Sequence, residues 1–199
     1  MAAVWQPLTP DDIKAVVRIS DVIHSALPEG EHVFAERLKL FPEGCLALAK
    51  VKTETGYACD GDGRRELCGY AISHPIHPRQ PPALDAVLGG VMLPPDAGQY
   101  YIHDFCVLPE FRGQGLAEQG IRRLLSAVDS DTERFPDGAC LVSVYDTVSF
   151  WARYGFAPPA IIEPALAAKV RGYGGGCHVS RAPEKSSIIV NSITTIAQH

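Results

Sequence analysis

The stretch Tyr100-Tyr-Ile-His-Asp-Phe-Cys-Val-Leu-Pro-Glu-Phe-Arg-Gly-Gln-Gly-Leu-Ala-Glu-Gln-Gly-Ile-Arg-Arg-Leu-Leu125 decides the fold. Its first part, residues 99–108, is aromatic and β-branched and predicts a buried strand. Leu116, Ile121, Leu124, Leu125 and Val128 recur at helical spacing, so residues 115–128 predict a helix with a broad apolar face. Between them lies a turn that carries Gly113 and Gly115. A strand running through a glycine turn directly into a helix can hold an anion. The free N–H groups of the first helical turn, helped by the helix dipole, bind phosphate with few side-chain charges, and glycine lets the backbone come close. A dinucleotide fingerprint would need a third glycine where Glu118 stands, and a nucleotide P-loop would need Gly-Lys-Ser/Thr, which is absent. A plain connection with no ligand is the bland alternative.

Upstream, residues 4–8 read as a first strand. Thr9-Pro10-Asp11-Asp12 then offers an N-cap hydroxyl, a proline for the first helical position and two acids for the first turn. Ile13, Val16, Val17, Ile19, Ile23 and Leu27 keep a three-to-four spacing, and Pro28-Glu29-Gly30 ends that helix before a second one at 32–41. Residues 45–51 and 66–74 predict two strands joined by a long polar connection, 53–65. Residues 75–98 are dominated by proline and glycine and predict an ordered loop, with a short helical option at 83–88. Beyond the central helix come a strand at 140–144, a short helix at 148–154 and a last strand at 178–181. This order predicts a mixed α/β layer fold, a mostly antiparallel twisted sheet of six to seven strands with helices on both faces. One domain over 1–182 is expected, and the tail, 183–199, has no place in it.

Composition narrows the function. The chain has 199 residues, is 46% hydrophobic and 21% charged, and carries a formal net charge of −5. That balance suits a packed globular protein and disfavours nucleic acid as the main partner, since phosphate binding wants a basic face. No stretch reaches the roughly 18 apolar residues needed to span a bilayer, and the first residues lack a charged segment followed by an apolar run, so neither a membrane partner nor secretion is expected. The six cysteines, at 45, 59, 68, 106, 140 and 177, form no C-x-x-C pair or zinc spacing, and His24, His32, His74 and His77 show no ligand spacing either. A reduced cytoplasmic protein without a metal is the expectation.

The segment Cys106-Val-Leu-Pro-Glu-Phe-Arg-Gly-Gln-Gly-Leu-Ala117 resembles the acetyl-CoA motif of the GNAT superfamily of N-acetyltransferases, Gln/Arg-x-x-Gly-x-Gly/Ala, with Arg112, Gly115 and Ala117 in the defined positions. Some forty residues on, Ser149-Phe-Trp-Ala-Arg-Tyr-Gly-Phe156 resembles that family's short helix ending in Gly-Phe. With the flanking elements the resemblance covers residues 3–181. It implies an acyltransferase that uses acetyl-CoA as co-substrate. The backbone N–H groups of Gly113, Gln114, Gly115, Leu116 and Ala117 would hold the pyrophosphate with the Arg112 charge assisting, and the main-chain groups of Phe105 and Val107 would pair with the pantetheine arm. The thioester would lie where the strands ending at Leu108 and Val144 splay apart. The amine would enter near the first two helices and the loops 76–98 and 158–176. The acceptor is expected to be a primary amine of a small molecule in preference to a protein, and a homodimer is left open. The alternative is a non-catalytic sensor of acetyl-CoA with the same fold.

Direct transfer needs an unprotonated amine, a polarised carbonyl and a proton for the leaving thiolate. Where many family members carry a tyrosine acid, this chain carries Trp151, whose indole cannot give up its proton. Tyr145, at the mouth of the two strands, is the better acid; Tyr154, beside the Gly-Phe turn, is read as packing, and water is a rival. For the base, strict alternation puts Tyr101, His103, Phe105 and Val107 on one strand face, and an unperturbed imidazole titrates near neutrality. His103 is therefore the candidate base. Asp104 is assigned to the other face with a structural role. Glu29, Glu31 and Glu36 are read as a solvated face rather than an acceptor site, and Cys106 as a small core residue.

Overall fold

Thr9 and Asp12 set the entry to the first helix: the Asp12 carboxylate accepts the Thr9 N–H at 2.7 Å and its hydroxyl at 2.6 Å, and Arg65 Nε donates to it at 2.8 Å. The computed structural model describes residues 2–53, 56–61, 64–89, 98–159, 164–171, 173, 177–181 and 186–191. Its contacts divide into two compact units, Met1–His74 with Val87–Met92 and His103–Ser126, and Pro75–Ala86 with Leu93–Ile102 and Ala127–His199.

The first unit holds strand β1 (Ala3–Pro7), helices α1 (Ile13–Ile23) and α2 (Glu31–Leu40), strands β2 (Cys45–Thr53) and β3 (Gly56–Tyr57), most of β4 (Leu67–Ile76), the second half of β5 (Gln99–Val107) and most of helix α3 (Leu116–Ser130). Its strand order is β1-β2-β4-β5, with β3 on β2, and the β1–β2, β2–β3 and β2–β4 ladders are antiparallel. One face is packed by α1 and α2. Ile13, Val16, Ile19, Phe34 and Leu38 close on the alternating Cys45, Ala47 and Ala49 of β2 and on Tyr70, Ile72 and Cys106. Burying each of the larger aliphatic side chains stabilises the unit by about 1.5–3 kcal/mol before chain entropy is counted. All ten residues of β4 are buried, which its near-continuous apolar run requires.

The other face takes α3. Trp5 of β1 stands 5.4 Å from Phe105, and its indole donates to Leu116 O at 2.8 Å. The helix comes this close because residue 120 is glycine: a Cβ there would meet the Trp5 ring at 2.6 Å and Phe105 at 3.0 Å.

In the second unit the order is β5-β6-β8-β7, with β6 at Ala139–Ser143, β7 at Cys177–Arg181 and β8 at Ser186–Asn191. β5 pairs in parallel with β6 through Tyr100↔Ala139, Tyr101↔Cys140 and Ile102↔Leu141, and α3 is the crossover that a parallel pair needs. β6 is parallel to β8, and β7 antiparallel to it. Two short helices, α4 (Val148–Ala152) and α5 (Pro164–Arg171), complete this unit.

The mixed, mostly antiparallel α/β architecture is the one expected, with eight strands among the described residues in place of six to seven. β3 forms in the polar connection, and β8 forms in the stretch read as a tail, where Ile188-Ile-Val190 is a β-branched run. α5 lies in a stretch read as loop. The helical option at 83–88 is a turn, with Ala86 N–H on Ala83 O at 3.2 Å and Asp85 left-handed at φ 55°. Of the loop 75–98, residues 90–97 lie outside the described residues, as do 192–199 of the tail. Among the described residues no helix is long and apolar enough to cross a membrane.

Candidate active site

The turn between β5 and α3 is an open backbone cradle. After Val107, Pro109–Phe111 makes one tight helical turn, and Arg112 folds back so that its Nε donates to Val107 O at 3.0 Å. Gly113 and Gly115 are left-handed, φ 75° and 74°, and a Cβ on either would meet nothing within 4 Å. Gln119 N–H bonds Gly115 O at 3.1 Å as α3 begins, so the amides just before it have no intrahelical acceptor. Buried Leu116 anchors the helix start, whereas Gln114 and the Arg112 side chain face solvent. These residues fit a diphosphate, because the donors are main-chain and no side chain fills the space they face.

The strand leading into this turn carries the ionisable groups. His103 has a side chain only 1% exposed, and its Nε2 lies 2.9 Å from Glu29 Oε2, itself 7% exposed. Its ring centre is 6.0 Å from that of His74. Asp104, the next residue, has Oδ1 3.0 Å from His24 Nε2 and accepts the Tyr70 hydroxyl on Oδ2. Cys106 Sγ is 3.1 Å from His24 Nε2, 3.5 Å from Tyr70 Oη and 3.6 Å from Asp104 Oδ1. Strict alternation would put His103 and Asp104 on opposite faces, yet both pair with side chains from residues 24–29. Phe105, the residue after them, packs on Trp5.

Burial alone would raise the Asp104 carboxyl, but the His24 charge and the hydrogen bonds from His24 and Tyr70 hold it down to about 2. Burial works against the His24 imidazolium too, and the charges of Asp104 and Glu29 outweigh it, so His24 sits above its ordinary value. The two form an ion pair. Burial, then the Asp104 charge, pushes Cys106 and Tyr70 well above their usual ranges, and both stay protonated. Cys106 is therefore no nucleophile: the protonated His24 donates its Nε2–H to the Asp104 carboxylate and offers the thiol no base. The convergence of His24, Asp104 and Cys106, with donor atoms within 4.8 Å of one another, was invisible in the spacing of the chain.

Glu29 is the acid that the expectation of a solvated face misplaces. It precedes α2 and is buried against His103, whereas Glu31 in the first turn of α2 is exposed.

In the second unit Tyr145 follows β6 in a tight turn. Tyr145 and Asp146 are both left-handed, φ 54° and 56°, and the turn is closed by Thr147 N–H on Val144 O at 3.2 Å and by the Thr147 hydroxyl on the same oxygen at 2.7 Å. Two such residues in succession store strain of the kind found at functional sites. The Tyr145 hydroxyl is buried. Trp151 is 7% exposed and sits in an aromatic cluster, 5.1 Å from Phe150 and 5.6 Å from Phe156. Tyr154 packs on Phe150 at 5.4 Å, with the Arg153 guanidinium 5.8 Å from its ring.

A strand ending in an open amide cradle at a helix start fits a cofactor that carries a diphosphate. The chain matches the Acetyltransferase (GNAT) family over residues 23–156, and it belongs to that family. It is an acyltransferase whose acyl donor is acetyl-CoA. Among solved structures it resembles the NatC complex bound to Gag peptide and CoA, at 18% identity and TM-score 0.57, covering 80% of this chain and 87% of that one. It also resembles Ard1 from Thermoplasma volcanium, at 16% identity and TM-score 0.55 over 80% and 86% of the two chains. The Arabidopsis thaliana Naa50 complex with the bisubstrate analogue CoA-Ac-MVNAL aligns at 13% identity and TM-score 0.53 over 82% and 93%. At these identities the likeness concerns the fold. No curated protein sequence matches the chain.

Proposed function

We propose that the chain moves the acetyl group of acetyl-CoA directly onto a primary amine, that of a small molecule in preference to a protein. The observation that carries this reading is the His103–Glu29 pair, buried on the strand that leads into the cofactor turn. A carboxylate on one imidazole nitrogen fixes the ring and stabilises the imidazolium formed when the base takes a proton. In this reading the amides of Gly113, Gln114, Gly115, Leu116 and Ala117 hold the diphosphate, with Arg112 assisting. The main-chain groups of Phe105 and Val107 carry the pantetheine arm as an added strand. His103 removes the ammonium proton, the amine attacks the thioester carbon, and CoA leaves as a thiolate that Tyr145 protonates. Tyr145 is given this role for its place just after β6, because the family's usual acid position holds Trp151.

The net charge of −5 favours a cationic acceptor. The cysteines, free among the described residues at 45, 59, 68, 106 and 140, support a reducing compartment such as the cytoplasm. The test is release of free CoA thiol from acetyl-CoA over a panel of small primary amines and of peptides with free N-termini. Small amines should give release above the no-amine rate. Release by peptides alone would move the acceptor to protein N-termini, and release by neither would remove the amine reading.

A further inference from the structure

Two successive residues of β5 meet side chains of one short segment. Asp104 holds His24, the residue that follows α1, and His103 lies against Glu29, five residues on. Leu27, between them, is buried. From the geometry we infer that the His24–Asp104 pair is a positioning device: it anchors the α1 end of segment 24–29 on β5 and so sets the Glu29 carboxylate that orients the His103 ring. The inference rests on the reading of His103 as the base.

The pair is suited to this task because it is largely buried. The groups that face His24 are Asp104 and Cys106 from β5 and Glu29 from the segment itself, and Tyr70 of β4 completes the cluster by donating to Asp104. The side chains of His24 and Asp104 are only 15% and 10% exposed. A buried ion pair adds little net stability, but removal of one partner leaves the other uncompensated, so the pair resists any displacement that would separate its members. Segment 24–29 is therefore held at both ends, by two different carboxylate–imidazole contacts of opposite polarity along the chain.

The pairs also feel one another. Glu29 helps to hold His24 protonated, and His103 helps to hold Asp104 ionised. His24 and Asp104 thus place opposite charges on the segment and the strand that hold His103, which a scaffold of apolar residues could not do.

The experiment uses the full chain, acetyl-CoA and an amine accepted by the wild type. His24→Ala should lower kcat/KM for the amine by about 10²-fold, the scale of misplacing a catalytic group by an ångström. His24→Gln, which keeps a donor of similar reach without the charge, should recover part of that loss. Acetyl-CoA affinity by calorimetry should match the wild type in both. The acidic limb of the pH–rate profile should move to higher pH in His24→Gln and to lower pH in Asp104→Asn. If His24→Ala does not fold, His24→Gln and Asp104→Asn carry the test through the limb alone. Wild-type kcat/KM in His24→Ala, or an unmoved limb in both conservative variants, overturns the inference. His103→Gln separates the two ideas: full turnover there removes the base reading, whereas a slow His103→Gln beside wild-type His24 variants removes only the positioning role.

Discussion

The turn at residues 112–117 and the polar cluster on β5 belong to one stretch of chain and are built by opposite means. The turn is open, contiguous and made of backbone: two left-handed glycines with empty space before them. The cluster is buried and discontinuous, made of side chains at 24, 29, 70, 103, 104 and 106 drawn from the segment between α1 and α2, from β4 and from β5. Binding a polyanion needs amides and room, which six adjacent residues can supply. Handling a proton needs side chains whose charge is set by burial and by partners, and those partners come from far along the chain.

The contrast can be broken first at the turn. In Gly115→Asp the new carboxylate stands where the diphosphate would lie, on a backbone that Asp tolerates when left-handed. Acetyl-CoA affinity measured by calorimetry should fall by about 10- to 100-fold and depend strongly on salt. Gly115→Asn, nearly isosteric and neutral, should lose far less; equal losses would mean that shape, not charge, matters there. Next comes the packing beneath the turn. Gly120→Ala forces a methyl against Trp5 and Phe105 and should cost about 1–3 kcal/mol by denaturant unfolding. No cost would show that α3 is not wedged on that face.

The cluster is sharpened by pH. Asp104 has a depressed carboxyl, so its stabilisation is present above the unfolded value near 4 and is lost as pH falls towards about 2. His24 has a raised value, so its share is complete below about 6.5 and is lost as pH rises through the folded value. The stability gap between wild type and His24→Gln should therefore be widest between about pH 4 and 6.5 and narrow on either side. A pH-independent gap would mean that the pair carries no charge. The smallest effect belongs to Arg112→Ala. Its guanidinium is exposed and tethered to Val107 O, so affinity should drop about two- to fivefold, the scale of an exposed charge.

The same contrast explains what could be read from the chain. The strand, turn and helix around Gly113 and Gly115 were legible because glycine, period and order sit next to one another. The helices before them were legible from three-to-four spacing, with α1 ending at Ile23 rather than Leu27. Alternation failed at His103 and Asp104, since which partners a strand side chain meets is decided by the elements packed over it. Glu29 looked like a surface acid because its partner stands 74 positions away (103 − 29), and His24 lies as far from Asp104 as α1 does from β5. β8 was missed although Ile188-Ile-Val190 is a plain strand signal, because the stretch follows what reads as the last strand. Trp151, excluded as an acid by its chemistry, packs in an aromatic cluster with Phe150 and Phe156.

The central claim is that the buried imidazole on β5 removes the proton from the incoming amine. The most direct measurement is the pH–rate profile of His103→Gln with an amine that releases CoA from the wild type. The expected result is turnover lower by about 10² to 10⁴, acetyl-CoA affinity unchanged, and loss of the wild type's acidic limb. Full turnover with the same limb would contradict it, and would leave the His103–Glu29 pair as a contact that only holds the sheet to the segment before α2.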